Sequence, residues 1–150
     1  MNLRALRFTD TRFMSAQEKF KVVKVWDCFL KNGFKFHYFT EALYHHLALR
    51  CEFIAHFDRA GFYATYFEDP DDTIRFLGQF DADLGCRSVE YGSSRWADSP
   101  DYADVNRAMC KILEPHKERI YETLRARARE RDVSAAKALL QKHGIAIPVA

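Results

Sequence analysis

Residues 51–67 constrain this chain more than any other stretch. Two aromatic-rich runs, Phe53 to Phe57 and Phe62 to Phe67, flank Asp58-Arg59-Ala60-Gly61. A type I turn favours Asp at its first position and Gly at its fourth, where glycine enters positive φ without steric cost. Two β-prone runs joined by a four-residue, Gly-containing loop predict a β-hairpin over 52–67. The remaining chain then supplies helices to cover that hairpin.

Those helices are marked by their start signals. Ser15 and Glu18 have the spacing of a capping box. Phe20, Val22, Val23, Trp26, Phe29 and Leu30 recur at helical spacing behind it, with Lys19, Lys21, Lys24 and Lys31 on the opposite side. Gly33 is placed to stop this helix. Thr40 caps a second helix, expected to end near Arg50, with Phe39 and Tyr44 in hydrophobic-staple positions. Asp69-Pro70-Asp71-Asp72 joins an N-cap carboxylate to a proline at the first helical position, and Phe76, Leu77, Phe80 and Leu84 form the stripe that follows. Cys86 to Tyr91 is expected as a third strand and 92–98 as a loop.

Ser99-Pro100-Asp101 starts another helix, with Tyr102, Val105, Met109, Ile112 and Leu113 on its apolar face. Pro115 interrupts or restarts it. Beyond Leu124 the pattern becomes polar over Arg125–Arg131, and a last helix is predicted around Ser134–His143. The expected fold is α+β: five or six helices packed on a small antiparallel sheet containing the hairpin, in a single domain over 1–150. Residues 125–150 are expected to stand off as a helical extension. The alternative is an all-α helical domain.

Composition narrows the function classes. A formal net charge of +2, from 23 basic and 21 acidic residues, gives no whole-molecule field to draw in nucleic acid or membrane. No apolar run approaches the ~20 residues that span a bilayer. Residues 1–7 lack the apolar core of a signal peptide. Cys28, Cys51, Cys86 and Cys110 form no C-x-x-C pair and read as reduced thiols in a cytoplasmic protein.

Three functions are compatible with this pattern. The leading one is a small cytosolic interaction or accessory protein rather than an enzyme. Its binding surface for another protein, or for a second copy of itself, comprises Arg59, Tyr63, Tyr66, Tyr91, Arg95 and Trp96, because exposed aromatics and arginine favour contact surfaces. The second is an enzyme at the sheet edge, with His56 as base, Glu90 orienting it and Asp58 beside them. A metal enters only if the second helix runs unbroken to residue 56, which puts His45, Glu52 and His56 on one face. The hairpin separates those residues, so no metal or other cofactor is expected. Nucleotide-binding glycine motifs and G-x-S-x-G are absent from the sequence. The third is a nucleic-acid accessory using Lys19, Lys21, Lys24 and Arg125–Arg131. Against it, those arginines spread around the helix and no stacking aromatic follows Tyr121.

Overall fold

In the computed structural model, Asp58 begins a helix rather than a turn. Residues 2–9, 11–50, 53, 58–81, 85–86 and 100–146 are described. Asp58 Oδ1 accepts from the Gly61 N–H at 2.6 Å, and the Phe62 N–H closes the first helical turn on the Asp58 carbonyl at 3.0 Å. The helix α3 runs from Arg59 to Tyr66. The hairpin at 52–67, and with it the α+β fold, is therefore corrected to a helical architecture, and the all-α alternative fits. The type I turn and the first turn of a helix share right-handed dihedrals, so Asp-x-x-Gly serves either. Gly61 is not among the positive-φ glycines, which are Gly33 and Gly144.

The outcome is decided by spacing. Phe62 and Tyr66, and Tyr63 and Phe67, stand four residues apart, on one side of a helix. A strand would send neighbours to opposite faces. Phe62 and Phe67 instead both lie in the core.

The chain order is α1 Ala16–Lys31, α2 Glu41–His45, α3, α4 Pro70–Gly78, α5 Pro100–Leu113 and α6 Lys117–Lys142. α2 continues as one π-helical turn over His46–Arg50. Among the described residues the extended pairing is a two-residue antiparallel bridge, Phe80 opposite Cys86 and Asp81 opposite Gly85. That is too short to form a layer of the fold. The expected third strand lies mostly outside the described residues.

Caps explain most boundaries. Ser15 and Glu18 make both bonds of the capping box, at 3.1 and 2.8 Å. Thr40 caps α2, and the Phe39 and Tyr44 rings meet at 6.4 Å. Asp69 caps α4 ahead of Pro70. α1 ends in a Schellman motif, with Phe34 N–H bonded to Phe29 O at 3.0 Å and Gly33 N–H to Leu30 O at 3.3 Å. Gly33 and Phe34 both have positive φ, 69° and 59°. For Phe34 this costs about 1–2 kcal/mol. Burial against Phe29, edge-on at 5.2 Å, and stacked on Phe67 at 6.1 Å, offsets it.

α1 packs on α5 and α2, while α4 packs on α6. Trp26, fully buried, donates its indole N–H to the Met109 carbonyl at 3.1 Å, joining α1 to α5. Much of the aromatic surplus is core: Phe29, Phe34, Phe39, Phe53, Phe62, Phe67 and Phe76 are all buried. Lys19, expected on the solvated face of α1, is instead fully buried, its ammonium 3.4 Å from Asp104 and 5.6 Å from the Phe8 ring centroid.

At α6 the break expected at Pro115 is present, and one expectation is revised. Pro115 falls in a short 3-10 turn, Glu114–His116, between α5 and α6. The predicted last helix around Ser134–His143 is no separate element, because α6 continues unbroken to Lys142.

Candidate functional site

Of the residues expected to form a binding surface, Arg59, Tyr63 and Tyr66 are described, and they act largely as braces. Arg59 donates to the Phe39 carbonyl at 2.8 Å, pairs with Glu41 at 3.3 Å and lies 4.5 Å from the Phe36 ring centroid. Tyr63 donates its hydroxyl to the Phe34 carbonyl at 2.7 Å. Burial pushes the Tyr63 hydroxyl above its ordinary pKa, against the lowering effect of the Arg127 charge. Tyr66 packs among Phe53, Phe62 and Phe76. Arg59 and Tyr63 thus meet around the exposed Phe36, with Tyr66 turned into the core. Tyr91, Arg95 and Trp96 lie outside the described residues.

The catalytic and metal sets are not assembled among the described residues. Asp58 is occupied as the α3 cap. His56, Glu90 and Glu52 lie outside the described residues. His45 is solvent-facing, 3.4 Å from Glu41. No group of three His, Cys, Asp or Glu side chains converges on a metal-sized point among the described residues.

One buried polar pair escaped sequence reasoning. His46 Nε2 and Asn106 Oδ1 meet at 2.7 Å between the π-turn and α5. His46 Nδ1 has no hydrogen-bond partner among the described residues. Asn106 lies 60 residues from His46, so no local pattern signals this pair.

The feature that sets this molecule apart is α6. Its first half presents Ile120, Leu124 and Ala128 to the body, at the spacing of one helical face. Arg131 closes this contact, gripping Asp69 and pairing with Asp71 at 2.7 Å and Asp132 at 3.0 Å. Arg131's hydrogen bond holds the Asp69 carboxyl below its ordinary range. The Arg131 guanidinium is correspondingly raised by Asp71, Asp69 and Asp132. Beyond this point residues 132–139 are all exposed.

The same face continues there as Ala135, Ala138 and Leu139, with Val133, Ala136 and Leu140 on the opposite side. Leu139 is 58% exposed and Val133 45%. A second Schellman motif ends the helix, Ile145 N–H bonding Leu140 O at 2.9 Å and Gly144 N–H bonding Gln141 O at 3.2 Å.

No helix among the described residues is long and apolar enough to cross a membrane. No protein-family model, curated protein or solved structure matches this chain.

Proposed function

We propose that this chain is an interaction protein whose docking element is the distal half of α6. The observation that carries the reading is a helical segment, 132–142, that leaves the body with apolar residues on two sides, Val133 and Leu139 among them exposed. An isolated helix of that length is marginal in water, and packing of an apolar face is what ordinarily fixes it. Ala135, Ala136 and Ala138 supply the local propensity that keeps the segment helical when alone. A groove on another protein would supply the missing contact, with Leu139 as its anchor.

The Arg59, Tyr63 and Tyr66 surface is less suited to this role, because those side chains already hold the fold. Two members of the nucleic-acid set are likewise engaged, Lys19 with Asp104 and Arg131 with Asp69 and Asp71. Site-specific photo-crosslinking in the native host tests the proposal. A photoreactive residue at position 139 should yield one defined adduct, and the same residue at exposed Lys21 should not. Equal labelling at both positions, or none at 133 and 139, would overturn the reading. Sedimentation of the adduct separates a second copy from a different protein.

A further inference from the structure

We infer that the groove between the C-terminal end of α1 and the first half of α6 binds an acidic, leucine-bearing peptide segment of another protein. This inference is independent of the distal half of α6. The groove encloses about 280 Å³. That falls just below the ~300–1,000 Å³ typical of sites that take in a whole small molecule. A side chain projecting from an extended segment fits better. The edges of Leu30, Phe34, Ile120 and Leu124 make the floor, and Lys31, Arg119, Thr123 and Arg127 the rim.

The rim is built for an anion. Arg119, Thr123 and Arg127 follow one another at four-residue intervals, on one face of α6. Each arginine stands ~6 Å along the axis from Thr123, so both guanidiniums reach a carboxylate placed over it. Neither holds a carboxylate among the described residues. Arg119 contacts His116 Nδ1 at 3.3 Å, and Arg127 contacts the Gly33 carbonyl at 3.5 Å. Among the described residues neither lies within 4.0 Å of an acidic oxygen. Arg59, Arg75, Arg107 and Arg131 each hold one. Lys31 is bound to Asp27 at 2.8 Å and contributes less.

Two further observations favour this site and this ligand. α6 carries eight basic and four acidic residues, whereas the whole chain has a net charge of only +2. The rest of the chain is therefore net acidic, and attraction for a negatively charged segment is concentrated on α6. The place where a side chain at Gly33 would stand is also open, with nothing within 4 Å. A segment passing beside Gly33 therefore meets no side chain at that point.

Amide NMR of the full chain, titrated with acetyl-Gly-Glu-Leu-Leu-Glu-Gly-amide, tests the inference. Saturable shifts are expected at Gly33, Phe34, Thr123 and Arg127. Replacing both glutamates by glutamine, or both leucines by glycine, should weaken binding. In the protein, Arg119→Gln with Arg127→Gln should weaken it by about tenfold or more, since a charge-assisted hydrogen bond contributes about 1.5–3 kcal/mol. Both side chains are exposed, so the double variant should keep the parent's spectrum elsewhere. Absence of saturable shifts would overturn the site. Equal affinity in the double variant would overturn the role of the arginines. Equal response to the leucine-free peptide, to inorganic phosphate or to duplex DNA would overturn the ligand class.

Discussion

The two halves of α6 share one helix but not one source of stability. From Lys117 to Arg131 the helix is held by what it touches: Ile120, Leu124 and Ala128 enter the core, and Arg131 reaches back to the start of α4. From Asp132 to Lys142 it is held by propensity, with Leu139 exposed and Leu140 half-buried. Burial, not helicity, separates them. The lesson is that an unbroken helix reports nothing about which of its turns the fold depends on.

The largest test of this contrast is a leucine deletion in each half. Leu124→Ala should lower unfolding free energy by about 2–5 kcal/mol, because it empties a packed site only 2% exposed. Leu139→Ala should change it by less than about 0.5 kcal/mol. Chemical denaturation measures both, and similar losses would erase the contrast. Hydrogen exchange sharpens it residue by residue. Amides from 121 to 130 should be protected near the global level, and those from 134 to 142 should exchange orders of magnitude faster.

A smaller effect lies at the boundary between the halves. Asp69→Ala removes the α4 cap, at about 1 kcal/mol, and also the contact with Arg131. Asp69→Asn keeps a capping oxygen and should recover most of the stability while leaving the exchange rates near Arg131 raised. Tyr63→Phe, which deletes the hydroxyl held by Phe34, should cost about 1 kcal/mol in the body and leave the distal helix untouched.

The smallest effect is in pH. The Asp69 carboxyl is depressed in the folded state, so its contribution is fully present above the ordinary carboxylate range and is lost as pH falls through the folded value. Tyr63 is raised, so its contribution is present below the ordinary phenol range and is lost as pH climbs through the folded value. A pH series of denaturation midpoints on Asp69→Asn and Tyr63→Phe should show each limb flatten in the matching variant. Unchanged limbs would count against these two contacts.

Capping chemistry was the legible part of the fold. Ser15 with Glu18, Thr40, and Asp69 with Pro70 each mark a helix start, because the side chain that satisfies the first N–H groups is local in sequence. Asp58 is ambiguous for the same reason: an Asp accepting from the third residue on has the same look in a turn and in a cap. The four-residue spacing of Phe62 with Tyr66 and of Tyr63 with Phe67 favours the cap, and the packing of Phe62 and Phe67 on Phe39 and Phe76 seals it. Periodicity puts Lys19 on the solvated face, whereas Asp104, 85 residues away, draws it inward. The candidate sites were less legible. Arg59 and Tyr63 were chosen for their type, yet what they do depends on carbonyls of Phe39 and Phe34 that no local pattern announces.

Asp69 serves two masters. One of its oxygens receives the Asp71 amide and so opens α4, while the other receives Arg131. Whatever claims that carboxylate, a proton or a competing cation, would be felt simultaneously at the first turn of one helix and at the midpoint of another. The body and its outrigger are therefore fastened at a joint that a single titration can slacken.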